Sequence, residues 1–293
     1  MILARTLAEV RERVAAAHGA GKVVGLVPTM GFLHKGHLSL VDAARQGGAD
    51  FIVVSIFVNP KQFGPSEDFG RYPRDEAGDR KQLEAREVDV LFLPDASAIY
   101  PAGFSTSVHV GGVTARLEGQ RRPGHFDGVA TVVLKLFDIV QADLAVFGRK
   151  DAQQCAVIER IVRDLDLPVR LIFAETVREE DGLALSSRNS YLSAEERALA
   201  PALHRGLKAG EKAIVHGVDD VGEIERLMQR IVRETPRVEI DYLEVIDPQT
   251  FDRPVDFHRD LMVAGAVKLG RTRLIDNIRI PRDRIPQAKI APR

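Results

Sequence analysis

Lys22-Val23-Val24-Gly25-Leu26-Val27 is followed by Pro28-Thr29-Met30-Gly31-Phe32-Leu33-His34-Lys35-Gly36-His37. An amphipathic stretch then leads to Gln46, and the run Phe51-Ile52-Val53-Val54-Ser55-Ile56-Phe57-Val58 comes after it. Neither apolar run alternates polar with apolar residues, as a strand with one wet face would. Such runs are strands covered on both faces. The segment from His37 to about Gln46 reads as a helix. Strand, helix, strand in that order is a crossover unit, and such crossovers are right-handed.

The pattern extends outward in both directions. Thr6-Leu7-Ala8-Glu9 is a capping box, with Leu7, Val10, Val14 and Ala17 at helical spacing and Gly19 and Gly21 ending the helix. Asp75 to Arg86 reads as a helix and Val88 to Leu93 as a strand. A helix from about Asp127, its plausible cap, to Val140 precedes a strand at Leu144 to Phe147. A helix from Asp151 to Leu165 precedes a strand at Val169 to Phe173. The fold class is α/β, a doubly wound, Rossmann-like parallel sheet whose strand order stays open.

The second half changes character. Ser193-Ala194-Glu195-Glu196 caps a helix expected to run to about His216, and Asp219 or Asp220 opens another. Glu239 to Ile246, Leu261 to Leu269 and Thr272 to Ile278 read as strands, with turns at Asp247-Pro248 and Gly270. The expected division is 1–185, the doubly wound domain, and 186–293, a smaller α+β domain. The tail after Pro281 is expected to be loosely held.

Composition narrows the classes. The 293 residues suit two domains at ~150 residues each. A hydrophobic fraction of 45% supplies a core and argues against disorder. Lys plus Arg number 41 and Asp plus Glu 42, so the net charge of −1 provides no global field for a polyanion; nucleic acid is disfavoured as a partner. The single cysteine, Cys155, excludes an intrachain disulfide and a cysteine zinc site, fits a reducing compartment, and reads as a core residue rather than a nucleophile. Phe51 to Val58 is about a third of a membrane span. Arg5, Glu9, Arg11, Glu12 and Arg13 leave no apolar core for a secretory signal. A soluble cytoplasmic protein with no membrane partner is expected.

In a doubly wound sheet, ligands bind beyond the carboxyl ends of the strands. Five loops qualify. The first, Pro28 to His37, holds Gly31 and Gly36 and two histidines three apart at a helix mouth, where N–H groups and the helix dipole favour an anion. A tight turn with two surface histidines is the plainer reading. The second, Val58-Asn59-Pro60-Lys61-Gln62-Phe63, offers uncharged amides for hydroxyls or a carboxylate, or is an ordinary proline turn. The third, Arg121 to Gly128, is a basic loop entering a helix. The fourth, Gly148-Arg149-Lys150-Asp151-Ala152-Gln153-Gln154, joins a glycine and two cations to a helix start; the alternative is a helix capped by Asp151 with solvated cations. The fifth, Asp181 to Asn189, places Ser186, Ser187 and Arg188 together, suited to a triphosphate or simply a serine-rich linker. His18, His109, His204, His216 and His258 show no constellation. Neither Gly-x-x-x-x-Gly-Lys-Ser/Thr nor Gly-x-Gly-x-x-Gly occurs, so a His-x-Gly-His nucleotide site remains.

The ordered set resembles the pantothenate synthetase, or pantoate–β-alanine ligase, family of the His-x-Gly-His nucleotidyltransferase group. It is carried by Val27-Pro28-Thr29-Met30-Gly31 through His37, Ser55-Ile56-Phe57-Val58-Asn59-Pro60 through Phe63, and Arg122-Pro123-Gly124-His125-Phe126. Phe147-Gly148-Arg149-Lys150-Asp151, Leu183 through Asn189, and Arg273-Leu274-Ile275-Asp276-Asn277 complete it. The resemblance implies a pantoyl-adenylate route from (R)-pantoate, β-alanine and ATP to pantothenate. It also implies Mg2+ carried with the ATP phosphates, no metal held by protein side chains, and a homodimer. It implies that His34, His37, Lys150 and Arg188 are catalytic. Met30, Gly31, Phe32, Leu33, His34, Lys35, Gly36, His37, Gly148, Arg149, Lys150, Asp151, Val177, Leu185, Ser186, Ser187 and Arg188 would bind ATP; Gln62, Gln154 and Asn59 would bind the organic substrates. Lys35 and Arg149 depart from the family pattern, in which an acidic residue and Glu or Gln are common, and both add positive charge. Two other classes stay open on the residues alone: a nucleotidyltransferase joining AMP to a phosphorylated acceptor, and a non-catalytic nucleotide sensor.

Overall fold

In a computed structural model describing residues 1–65 and 67–286, the apolar runs pair as a six-stranded sheet. Its strands are β1 (Ile2–Ala4), β2 (Val24–Thr29), β3 (Phe51–Ile56), β4 (Val90–Phe92), β5 (Leu144–Gly148) and β6 (Arg170–Ala174). All neighbouring pairs are parallel, in the order β1-β4-β3-β2-β5-β6. The chain winds outward from β2 through β3 to β4, then returns to lay β5 on the other side of β2. The reversal leaves a crevice between β2 and β5 at the carboxyl edge of the sheet.

The helices of this unit are α1 (Leu7–Gly19), α2 (Lys35–Gln46), α3 (Glu76–Glu84), α4 (Ala96–Ile99), α5 (Leu117–Arg121), α6 (His125–Val140) and α7 (Ala152–Asp164). The α1 capping box forms as its residues require: Thr6 Oγ1 accepts from Glu9 N, and the Glu9 carboxylate accepts from Thr6 N. Val41 and Ala44 of α2 and Leu83 of α3 pack with Val27, Val54, Leu91, Leu144 and Val146. Burying such a side chain contributes ~1.5–3 kcal/mol. Helix α6 is apolar nearly all round, as befits a helix that packs against α1 and α7.

The chain divides into two compact units after Val177, where the sequence placed the boundary at 186. Residues 178–185 go with the second unit because the Arg178 guanidinium binds both Asp276 oxygens, at 2.6 and 2.8 Å. That unit holds α8 (Ala194–Leu199), α9 (Ala202–Val215), α10 (Val221–Arg233) and an antiparallel sheet of β7 (Val238–Ile246), β8 (Leu261–Leu269) and β9 (Thr272–Ile280). Leu203, Leu207, Ile224, Met228, Val245, Val263 and Val267 form its core.

Three further expectations change, and one strand goes unforeseen. The single helix from Ser193 to about His216 is two helices, because Pro201 has no N–H to continue α8 and starts α9 instead. Asp127 is not a cap: α6 begins two residues earlier behind Gly124, at φ 79°, and Asp127 instead meets His109 Nδ1 at 2.9 Å. The short edge strand β1 has no periodicity to betray it. The tail is held further than predicted, since Ile285 is buried and Arg284 bonds Glu211; residues 287–293 lie outside the described residues.

Helix α6 touches the turn Pro60–Gln62 at Gly128, where an added Cβ would stand 2.3 Å from the Lys61 carbonyl oxygen and 2.7 Å from Gln62 N. Gly128→Ala is expected to cost ~1–3 kcal/mol, read as a lower urea midpoint at unchanged slope. A parent-like midpoint would contradict this close approach.

Candidate functional site

The chain leaves β2 through a turn closed by its own polar groups. Thr29 Oγ1 donates to the Ser55 carbonyl at 2.9 Å and accepts from Gly31 N at 3.2 Å. Gly31 and Phe32 are both left-handed, at φ 82° and 51°. Glycine is needed at 31, since a Cβ would lie 2.8 Å from Ile56 Cγ2. Past this turn two successive N–H groups point to the same side. Phe32 N and Leu33 N both donate to Asp79 of α3, at 2.8 and 2.6 Å, and Gln82 Nε2 donates to the Leu33 carbonyl at 3.3 Å. Burial raises the Asp79 pKa, while the two N–H groups oppose the rise. Of the residues predicted to bind nucleotide, Phe32 and Leu33 thus have their N–H groups committed to a carboxylate of the protein. Sequence reading missed Asp79, because a helix distant in the chain supplies it.

His34 caps α2. Its Nδ1 accepts from Gly36 N at 3.1 Å, and its own N–H donates to His37 Nδ1 at 3.3 Å. The ring centroids are 4.0 Å apart. An Nδ1 that accepts carries no proton, so each imidazole is neutral with its proton on Nε2. Electrostatics agrees. Burial, then the Lys150 charge, holds His34 down to about 4, against a smaller opposing effect of Asp151. Burial, His34 and Lys150 hold His37 well below the usual histidine range. Lys150, from the loop after β5, is therefore near enough to weigh on both rings. The Lys150 charge bears on both rings across the crevice, and the paired histidines are not surface groups.

In that second loop Lys150 Nζ lies 3.6 Å from Asp151 Oδ1, and Gly148 accepts from Cys155 Sγ at 3.4 Å. Burial raises the Cys155 pKa and keeps the thiol protonated. Asp151 makes no side-chain cap bond to α7. Arg149 turns to Glu175 at 3.0 Å and lies over the Phe173 ring, while Lys35 is exposed. The two adjacent glutamines separate by role. Gln153 is buried and spends its amide on Glu118 N and the carbonyls of Val113 and Arg116. Gln154, in the first turn of α7, is half-buried, and its side chain makes no hydrogen bond among the described residues.

The turn after β3 is wired as a unit. Asn59 Nδ2 donates to Gln62 Oε1 and the Gly128 carbonyl, both at 3.1 Å, while Tyr100 OH donates to Asn59 Oδ1 at 2.8 Å. Burial pushes the Tyr100 hydroxyl up to about 12, so it stays a donor. Gln62 Nε2 points at Met30 Sδ, 3.0 Å away, joining this turn to the first loop. His125 Nδ1 lies 2.8 Å from the Gln62 carbonyl, and its Nε2 lies 3.0 Å from Arg122, whose guanidinium also binds both Glu67 oxygens at 2.7 Å. The Gln62 carbonyl requires the His125 proton on Nδ1, leaving Nε2 to accept from Arg122. Burial and then Arg122 lower His125 to about 4.

Val177 closes the first unit, half-buried. Leu185, Ser186, Ser187 and Arg188 belong to the second, where Ser186 Oγ accepts from Arg188 N at 3.3 Å and Ser187 is buried. Asn189 Nδ2 and Arg178 brace this segment through the carbonyls of Ala184 and Gly182. Among the described residues no group of three His, Cys, Asp or Glu side chains could hold a metal ion, and no helix is long and apolar enough to cross a membrane.

His34 and His125 fold with pKa values near 4, against 6.5 for a free histidine. Below 6.5 the unfolded chain binds protons that the folded chain refuses, so stability falls as pH drops from about 6.5 towards 4. His125→Gln is expected to flatten part of that fall in unfolding midpoints measured across this range. An unchanged slope would contradict a neutral buried His125.

Comparison with known proteins accords with this arrangement. The model of the family described as pantoate-beta-alanine ligase matches residues 2–279. The pantothenate synthetase of Herpetosiphon aurantiacus is 52% identical over 91% of this chain and 97% of its own, and that of Ectopseudomonas mendocina is 53% identical over 94% and 96%. The crystal structure of the Thermus thermophilus pantothenate synthetase superposes with a TM-score of 0.90 at 48% identity, covering 95% of this chain and 99% of that one. The Francisella tularensis pantoate-beta-alanine ligase, crystallised with beta-gamma ATP and beta-alanine, gives 0.78 at 31% identity over 95% and 97%. With the crevice, the histidine pair and matches running nearly end to end, the chain belongs to the pantoate-beta-alanine ligase family.

Proposed function

We propose that the crevice between β2 and β5 carries out the two-step ligation of this family. A carboxylate oxygen of (R)-pantoate attacks the α-phosphorus of ATP, the bond to the β-phosphate oxygen breaks, and pyrophosphate leaves. The amine of β-alanine then attacks the acyl carbon of the adenylate, AMP departs, the amine loses a proton, and pantothenate remains.

The observation that supports this reading is the pair of neutral imidazoles beside Lys150. Each keeps an Nε2–H after spending Nδ1 on the backbone. Two neutral donors and one ammonium can hold the oxygens of a polyanion where charge develops, and such preorganised donors stabilise the transition state. Lys150 then receives the departing pyrophosphate; the same role for Ser186, Ser187 and Arg188 rests on the family resemblance alone. Met30, Gly31, Gly36, Gly148 and Asp151 line the nucleotide site, and for Val177 and Leu185 that role rests on the family resemblance alone. Phe32 and Leu33 contribute surface rather than N–H donors, and Lys35 and Arg149 contribute only long-range charge. Mg2+ carried with the ATP phosphates would supply further charge neutralisation there.

Gln62 and Gln154 serve the organic substrates; Asn59, 1% exposed with its amide spent on Gln62, Gly128 and Tyr100, braces Gln62 instead of meeting a substrate. A cation paired with the pantoate carboxylate would blunt the nucleophile, whereas an amide can hold it without doing so. The half-buried and unspent Gln154 amide has the required capacity. By the same family resemblance the protein works as a homodimer in the cytoplasm.

ATP–pyrophosphate exchange is expected to require pantoate and to proceed without β-alanine; exchange independent of pantoate, or driven by another acceptor, would overturn the reading. His37→Ala is expected to slow this exchange by ~10²-fold or more, corresponding to the loss of a preorganised donor. A rate within about twofold of the parent would contradict the role. Gln154→Ala is expected to raise the pantoate KM while leaving the ATP KM near the parent value, and an unchanged pantoate KM would remove Gln154 from that subsite.

A further inference from the structure

We propose that Asp79, backed by Gln82, is a positioning residue for the His34/His37 donor pair. The inference rests on the proposed role of those histidines. Asp79 and Gln82 lie three apart on α3 and so share a face. Between them they grip Leu33 at both ends: Asp79 Oδ1 accepts its N–H at 2.6 Å, and Gln82 Nε2 donates to its carbonyl at 3.3 Å. That carbonyl belongs to the peptide group that joins Leu33 to His34. The second Asp79 oxygen accepts Phe32 N at 2.8 Å.

In the turn after Gly31, the Phe32 and Leu33 N–H groups converge on one point, as their bonds to the two oxygens of a single carboxylate show, and such a pair of N–H groups is a small anion-binding hollow. A hollow of this kind at the mouth of a nucleotide crevice would attract a phosphate oxygen. Here the anion is supplied by the chain, from a carboxylate only 2% exposed. The turn is thereby fixed before any ligand enters, and the phosphates are left to the imidazoles.

The consequence passes to both rings. His34 N–H donates to His37 Nδ1, His34 Nδ1 accepts from Gly36 N, and the rings lie against each other. Tilting the Leu33–His34 peptide therefore moves both Nε2–H groups together. A misplacement of ~1 Å in such a site costs about 10²-fold in rate. Asp79 is not needed to start its own helix, since Asp75 Oδ1 already accepts from Gly78 N at 2.9 Å. A carboxylate that served stability alone would, when lost, lower the unfolding midpoint and leave the turnover of the folded fraction intact.

The test is pantoate-dependent ATP–pyrophosphate exchange by the full-length enzyme, with Asp79→Asn, Asp79→Ala and Gln82→Met beside the parent and His37→Ala. Each variant is assayed below its own unfolding midpoint. Asp79→Asn retains the shape but can accept only one of the two N–H groups. It is expected to lose about tenfold or more in kcat with pantoate and ATP KM values within about threefold of the parent. Gln82→Met is expected to show the same split, more weakly. Asp79→Ala leaves a carboxylate-sized space, so sodium formate is expected to restore part of its kcat where sodium chloride at equal ionic strength does not. Parent-like kcat in folded Asp79→Asn, a loss confined to KM, or no recovery with formate would overturn the inference. If Asp79→Ala does not fold, the kcat of Asp79→Asn and Gln82→Met decides. Should His37→Ala retain the parent rate, the proposed role of the histidines fails whatever Asp79 does; should His37→Ala lose activity while Asp79→Asn keeps it, only this inference fails.

Discussion

Nδ1 of each histidine is spent on a backbone N–H, and much of the site follows from that constraint. It fixes the tautomer, so the proton must sit on Nε2. It keeps the rings uncharged beside an ammonium that would repel a second cation. It requires the chain at the start of α2 to hold one shape, which Gly31, Phe32 and the Asp79 carboxylate impose. The sheet supplies the place: reversal of winding at β2 opens the crevice and puts the loops after β2 and β5 side by side at one edge of the sheet.

Positive charge at the crevice is more restrained than the residue types suggest. Lys35 and Arg149 both put cations in the crevice loops, yet Lys35 is exposed and Arg149 turns to Glu175 and the Phe173 ring. Glu175 itself is largely exposed, so that ion pair contributes little stability; its effect is to keep a guanidinium occupied. Lys150 is the cation whose field reaches the histidines. A single ammonium with two neutral donors suits a step in which an anion must approach a polyanion and pyrophosphate must still leave.

The sheet was legible because its strands are buried on both faces, and unbroken runs such as Phe51 to Val58 have few other readings. The caps at Thr6, Ser193 and Asp220 were legible because capping is local chemistry. What failed was non-local or competing. β1 is three residues long at a sheet edge. Pro201 broke a helix whose periodicity continued past it. Asp127 had the right chemistry for a cap, but Gly124, immediately before α6, turned the chain first. In the site, the histidines, Gln62 and Lys150 stood out as residue types following strands. Asp79, Tyr100 and the Arg122–His125–Gln62 chain of contacts did not, because their partners lie far along the sequence.

The charge state of the histidine pair tests the account most directly. Two-bond proton–nitrogen spectra of imidazole-labelled enzyme, recorded near neutral pH without ligand, separate the two tautomers from the imidazolium. The account predicts the Nε2–H pattern for both His34 and His37, with His37→Ala and His34→Ala used to assign the signals. An imidazolium, or an Nδ1–H pattern, in either ring would contradict it.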